Sequence, residues 1–245
     1  MSGHSKWKNI AHKKGAADAK RAKVFTKYAR EIAIAIKEGS ADPSSNSKLA
    51  AVIAKAKSEN VPNDNINRVL QKYQSGAAAE NYEYVNYEGY GPSGVAVLVE
   101  TLTDNRTRTV SEVRHYFDKY GGNMGATGCV SWQFDRKGVI VVSAEDKDED
   151  EAMMVALDAG AEDFEAADDY FEITTPADDV HAVADALREA GYEVMQAEEA
   201  MVPQTYVKLT GEEDIKNMRK MLDVMEENDD VQNVWHNWEN ETDEV

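Results

Sequence analysis

YEYVNYEGYGPSGVAVLVETL, residues 82–102, holds two short runs rich in Val, Tyr and Thr, at 82–87 and 95–102, parted by Gly89-Tyr90-Gly91-Pro92-Ser93-Gly94. Aromatic and β-branched residues suit a pleated sheet surface, and the Gly/Pro cluster marks a turn between two strands. Upstream of this stretch the apolar residues recur instead at helical steps. Helices gathered at one end of a chain and strands beginning later point to an α+β architecture rather than to alternating βαβ units.

Working back toward the N-terminus, residues 16–38 place Phe25, Tyr28, Ala29, Ile32 and Ile36 at steps of three and four, with Lys20, Lys23, Lys27, Arg30 and Lys37 on the opposite face. That spacing predicts a helix with its apolar side inward and its basic side outward; Ile34 alone falls inside the basic arc. Gly39 stops the helix, residues 42–45 (DPSS) turn the chain, and a Ser or Asn there caps a second helix with Leu49, Val52, Ile53 and Ala56 on one side. Residues 61–64 (VPND) break the chain again before a third helix built on Ile66, Val69, Leu70 and Tyr73, ending near Gly76. Residues 1–15 show no sustained period and read as an extended arm. The first domain is therefore expected over residues 1–76, as a basic arm plus three helices.

Working forward, the loop at 103–108 leads into a helix with Val110, Val113 and Phe117 inward, closed by Gly121-Gly122. Two strands at 130–134 and 139–143 read as a hairpin around Asp135-Arg136-Lys137-Gly138. A helix near 214–226 and a strand near 231–238 at the far end supply the remaining α-β of a ferredoxin-like unit. The expectation is a ferredoxin-like α+β domain at 77–143 with 206–245, and an acidic α+β domain at 144–205 inserted in it; two consecutive domains are the alternative.

Charge divides the chain. Residues 1–75 carry 15 Lys+Arg against 6 Asp+Glu, whereas residues 76–245 carry 12 against 40, within a total of −19. Such asymmetry points to a polyanion-binding end on an acidic body. The single Cys129 excludes a disulfide framework and a four-Cys zinc site, and fits a reducing compartment. No apolar run approaches the roughly 18 residues of a membrane span, and the basic N-terminus lacks the apolar region of a signal peptide. A cytoplasmic protein with no membrane partner is expected.

The candidate nucleic-acid contacts are Lys6, Trp7, Lys8, His12, Lys13 and Lys14 in the arm and Lys20, Arg21, Lys23, Lys27 and Arg30 on the first helix. Cations in this density neutralise phosphates and release counterions, although a solvated basic face has the same composition. Trp7 can stack on an unpaired base or anchor the arm. Tyr87, Tyr90, Arg106 and Arg108 form a possible secondary contact, with packing and salt bridges as their ordinary uses. Residues 121–128 (GGNMGATG) resemble a phosphate loop in composition alone, because a helix precedes them and a strand follows, the reverse of what a phosphate site needs. No catalytic set is spaced as a Ser, His and acid triad would be, and no third ligand joins His4 and His12 around a metal. An enzyme is not expected, nor a cofactor or metal.

Several blocks carry a resemblance. Gly3-His4-Ser5-Lys6-Trp7, Asn9-Ile10, His12, Asp18, Arg21-Ala22-Lys23 and Phe25-Thr26-Lys27 resemble the opening of the YebC/PmpR family. Gly39 with Asp42-Pro43, Asn46, Leu49, Tyr87-Glu88-Gly89-Tyr90-Gly91-Pro92, Asp104-Asn105-Arg106, Arg108-Thr109, Val113-Arg114 and Gly121-Gly122 are similar to its later blocks. The resemblance runs from Gly3 to the C-terminal strand; Gly128-Cys129-Val130, where family members often carry Ser, and the acidic insert depart from it. It implies a cytoplasmic three-domain α+β protein that regulates transcription by binding DNA, with related members, one mitochondrial, implicated in translation on the ribosome. DNA is thus the expected partner, with ribosomal RNA as the alternative.

Overall fold

The computed structural model describes residues 19–75 and 81–240, with side chains from Lys23 onward except Ser58. Three helices open it: α1 (Ala19–Glu38), α2 (Ser47–Ser58) and α3 (Asn63–Gln74). Tyr28, Ile32 and Ala35 of α1 close on Leu49 and Ala56 of α2, Ile66 of α3 and Val61 between them, and Phe25, Ile36, Val52, Val69 and Leu70 pack around this core. Asn46 makes the α1–α2 corner. Its side chain caps α2 by accepting from Leu49 N (3.0 Å) and donates to the carbonyls of Ala35 (2.7 Å) and Ser40 (2.8 Å), so one buried amide satisfies both helix ends.

The sheet that follows is assembled from two stretches of chain. Strands β1 (Glu83–Tyr90), β2 (Ala96–Thr103), β3 (Asn123–Met124) and β8 (Val231–His236) take the order β3-β1-β2-β8, with β1 and β2 antiparallel in register Glu83↔Thr103 to Tyr90↔Ala96. Helices α4 (Arg106–Lys119) and α7 (Glu212–Glu227) pack on it and against each other. Among the described residues, these elements and the three helices form one compact unit, 19–129 with 210–234.

A single carboxylate ties that unit together. Asp230, 2 % exposed, accepts from Arg30 Nη1 (2.6 Å), Arg108 Nη2 (2.6 Å), Thr109 Oγ1 (2.7 Å) and Thr103 Oγ1 (3.1 Å). Those four donors sit on α1, on the first turn of α4 and at the end of β2. Burial alone would raise the Asp230 carboxyl, but the hydrogen bonds from Arg108, Thr109 and Arg30 outweigh it and hold it down at about 2.

The second unit comprises, among the described residues, 130–209 and 235–240. Its elements are β4 (Phe134–Ser143), α5 (Glu149–Asp158), β5 (Asp163–Ala166), β6 (Tyr170–Pro176), α6 (Val180–Glu189) and β7 (Val194–Pro203). The antiparallel sheet order β5-β6-β4-β7 completes a β-α-β-β-α-β ferredoxin-like pattern within this acidic stretch alone. Ile140, Val142, Phe171 and Ile173 meet Ala152 and Ala156 of α5 and Val183 and Leu187 of α6 in one core. In place of the expected hairpin at 130–134 and 139–143, Ser131–Gln133 form a 3-10 turn and residues 134–143 one continuous strand, and the unit begins at Val130 rather than at residue 144. Asp135-Arg136-Lys137-Gly138 reads as a turn by composition, but its charges find partners without one. Arg136 pairs with Glu199 across the sheet (2.6 Å) and Lys137 with Glu162 (2.7 Å). Among the described residues no helix is long and apolar enough to cross a membrane.

Two outcomes follow from these contacts. Gly138 lies under α6, where an added Cβ would meet Val180 Cβ at 2.6 Å and the Thr175 hydroxyl closer still. Gly138→Ala should therefore lower stability by about 1–3 kcal/mol in denaturant unfolding, through overpacking; an unchanged midpoint would show that helix and strand part freely. Asp230→Ala leaves Arg30 with only the Leu102 carbonyl and Arg108 with only Asp104, and should cost about 3 kcal/mol, the lower end of the range for breaking one side of a buried pair because Arg108 is partly exposed. The depressed carboxyl also sets a pH window: its contribution is complete above about pH 4 and is lost as pH falls through about 2. Wild type minus variant stability, followed by chemical denaturation from neutral to acid pH, should shrink across that window.

Candidate nucleic-acid interface

Along the basic arc of α1, Lys23, Lys27 and Arg30 are half-buried, whereas Lys37 is exposed. Arg30 Nη1 donates to the Leu102 carbonyl (2.8 Å) as well as to Asp230, and its guanidinium lies 5.2 Å from the centre of the Tyr82 ring. Lys27 Nζ donates to the Gln232 carbonyl and to Asn233 Oδ1 (3.3 Å). Lys37 Nζ reaches Asn81 Oδ1 (2.9 Å). Lys23 Nζ is buried without a hydrogen-bond partner among the described residues; burial pushes the ammonium down to about 8 even though Glu226 and Asp229 pull it up. Lys23, Lys27 and Arg30 were expected on an outward phosphate-binding face; here Lys27 and Arg30 hold α1 to β2, β8 and Asp230, and the Lys23 ammonium is buried near Glu226 and Asp229. The physical reason is visible in Ile34, the residue that breaks the basic arc: it is buried at 5 % exposure, as a residue at the centre of a docking face must be. An arc interrupted by a buried isoleucine between Arg30 and Lys37 is half-buried there, and Lys27 and Arg30 use their charges on carbonyls and on the Asp230 carboxylate.

The remaining first-domain candidates divide differently. Lys6, Trp7, Lys8, His12, Lys13 and Lys14 lie outside the described residues, and so do the side chains of Lys20 and Arg21. The exposed cations of the three described helices are Lys37 near the end of α1, Lys48, Lys55 and Lys57 of α2, and Arg68 and Lys72 of α3. Lys48 pairs with Glu38, and Lys72 lies 5.4 Å from the Tyr73 ring centre. The side chains of Lys57 and Arg68 meet no carboxylate among the described residues. Sequence reasoning passed over this group although the signal was present: the stripes Leu49, Val52, Ile53, Ala56 and Ile66, Val69, Leu70, Tyr73 leave these residues on the polar sides of their helices.

The possible secondary contacts are mostly structural in their geometry. Tyr87 is buried, with its hydroxyl 3.5 Å from the Arg106 carbonyl, and burial pushes the phenol up. The Tyr90 hydroxyl donates to the Cys129 carbonyl (3.2 Å). Arg108 is divided between Asp104 (2.8 Å) and Asp230, while Arg106 is exposed in the first turn of α4. The glycine-rich segment at 121–128 is pinned to β1: Gly125 N donates to the Glu88 carbonyl and Gly128 N to Glu88 Oε1, both at 2.8 Å. His115 and His181 are exposed on α4 and α6, and His236 is buried on β8. Burial pushes the Cys129 thiol up, which disfavours the reactive thiolate. Among the described residues no three His, Cys, Asp or Glu side chains are grouped so as to hold a metal ion.

Comparison with known proteins gives the family. Residues 5–76 match the N-terminal domain of the TACO1/YebC protein, and residues 82–238 match the TACO1/YebC second and third domain. A protein of Acetivibrio thermocellus is 57 % identical over 97 % of this chain and 99 % of its own, and one of Finegoldia magna is 53 % identical over 98 % and 100 %. Both are named probable transcriptional regulatory proteins. The crystal structure of a conserved hypothetical protein from Aquifex aeolicus is similar at a TM-score of 0.77 and 42 % identity, covering 91 % of this chain and 92 % of that one. With both family descriptions matched in chain order across nearly its whole length, the chain belongs to the TACO1/YebC family.

Proposed function

We propose that this chain is a non-enzymatic regulator of gene expression that works in the cytoplasm and grips DNA through its basic N-terminal domain. The observation that carries the reading is the confinement of positive charge: 15 Lys+Arg against 6 acids in residues 1–75, in a chain of net charge −19. Phosphate binding is driven by neutralised charge and released counterions, so in such a molecule it belongs to this end. The names of the relatives support a regulator. With Lys23, Lys27 and Arg30 turned inward, the contacting set is the arm cations Lys6, Lys8, Lys13 and Lys14, with Trp7, His12, Lys20 and Arg21, together with Lys55, Lys57, Arg68 and Lys72 on α2 and α3.

The test is affinity against salt for two variants, one with Lys6, Lys8, Lys13 and Lys14 changed to Glu and one with Lys55, Lys57, Arg68 and Lys72 changed to Glu. Substitutions at exposed positions such as Lys55, Lys57, Arg68 and Lys72 usually alter stability by about 0.5 kcal/mol or less each, and circular dichroism checks that both variants fold. Each lost phosphate contact should reduce the magnitude of the slope of log affinity against log salt by about 0.9 on duplex DNA or about 0.7 on a single strand. Folded variants that keep wild-type affinity and slope on promoter DNA and on ribosomal RNA alike would overturn the assignment. Crosslinking in cells then sorts the two targets: bound fragments drawn from ribosomal RNA rather than promoter DNA would make the protein a ribosome-associated translation factor.

A further inference from the structure

Residues 76–245 hold 12 Lys+Arg among 40 acids, yet seven of the 12 fall on two helices, α4 and α7. Arg108 is committed to Asp104 and Asp230. The other six are Arg106, Arg114, Lys119, Lys216, Arg219 and Lys220. The helices touch, and Asn228 at the end of α7 donates to Glu112 Oε2 (2.8 Å) and to the Tyr116 hydroxyl (3.1 Å) of α4. Their inner faces are fixed by burial of Thr109, Val113 and Phe117 on α4, and of Ile215, Met218, Met221, Leu222 and Met225 on α7. The outer surface is accordingly rigid.

The acids on these helices are drawn to their ends or already engaged. Glu212, Glu213 and Asp214 fill the first turn of α7, where the helix dipole favours them, and Asp214 accepts from Ser93 Oγ (2.5 Å). Glu226 lies near enough to Lys23 to raise its basicity, and Glu112 accepts from Asn228. Asp118, Asp223 and, at the last position of α7, Glu227 remain outward. Arg114, Lys216 and Lys220 meet no carboxylate among the described residues, in a part of the chain where carboxylates outnumber cations more than threefold. Along α4 the surface dips into a shallow hollow of about 270 Å³ lined by Val110, Ser111, Arg114, His115 and Asp118. None of the exposed large apolar side chains of the described residues lies on either helix, so the surface offers a protein or lipid partner no hydrophobic anchor. Guanidinium and ammonium groups spaced along two rigid helices match a different partner, a row of phosphates.

We propose that the outer surface of α4 and α7 is a second phosphate-contacting surface, which engages the backbone of the same nucleic acid that the N-terminal domain holds. This rests on the nucleic-acid reading above and adds to it a contact on the acidic part of the chain. Arg114 supplies a planar fork, Lys216 and Lys220 supply point charges, and Arg106 extends the row to the start of α4.

The experiment uses the full chain with two probes, a duplex DNA and a single-stranded RNA, each titrated across a salt series. One variant carries Arg114→Glu with Lys216→Glu. A control of equal charge change carries Lys147→Glu with Arg188→Glu in the other unit, both exposed. The α4–α7 variant should lose about tenfold or more in affinity at low salt, and its slope should drop by about 0.9 per contact on the duplex or about 0.7 on the single strand, while the control stays within about twofold of wild type. A folded α4–α7 variant with wild-type affinity and slope overturns the surface. Equal losses in variant and control overturn it too, since net charge would then explain both. A wild-type chain that binds neither probe removes the nucleic-acid reading itself, and this surface with it.

Discussion

The carboxylate of Asp230 is the constraint on which the larger unit depends. Two arginines and two threonines from three elements converge on two oxygen atoms that water hardly reaches. A buried charge is tolerated only when its lone pairs are filled, and here each oxygen has a cationic donor. The same contact decides which way α1 faces. Once Arg30 is held by Asp230 and by the Leu102 carbonyl, the arc it belongs to turns inward, Lys27 reaches Gln232, and Lys23 is carried into a buried position where its charge is costly. The helical domain and the sheet are thus joined by polar groups whose geometry is specific, while the apolar stripe of α1 is spent within its own three-helix core.

That division of labour inverts a common expectation for an amphipathic helix. Both faces of α1 are used, one to build its domain through Tyr28 and Ile32, the other to dock it through Lys27 and Arg30. Apart from Lys37, the exposed cations of the described helices then lie on α2 and α3, whose apolar stripes face the same core. Positive charge in a helix is not by itself a surface for phosphate; what matters is whether a carboxylate or carbonyl of the same chain reaches it first. Arg68 and Lys57 escape that fate, and Arg30 does not.

Much of this was legible before any coordinates. The three helices and their core follow from the spacing of Leu49, Val52, Ile66 and Val69, and the return of the chain end to complete the first sheet follows from the α-β pattern after residue 212. The second sheet was harder. The charged run at 135–138 has the composition of a turn, and only cross-strand partners from 162 and 199 make it a strand; such partners are long-range and leave no local trace. The ferredoxin-like order was consequently assigned to the wrong sheet, because one continuous β4 supplies the strand that closes the acidic unit. Docking of α1 was hidden for the same reason, since Asp230 stands 200 residues from Arg30. Ile34 was the one local clue, and a single residue off its expected face is easily discounted.

The acidity of the remaining chain then acquires a physical role. A polyanion approaching a molecule with 40 acids in residues 76–245 is repelled over most of that surface and attracted at few places. Repulsion of this kind lowers affinity for wrongly oriented encounters more than for the right one, so it sharpens binding without adding a contact. This is why the pattern of the basic residues on α4 and α7 carries meaning that the same residues would lack on a neutral protein. Six cations scattered at random among 40 acids would each be expected to find a carboxylate, as Arg136, Lys137 and Arg188 do. Arg114, Lys216 and Lys220 are instead held on a rigid scaffold with their charges turned outward.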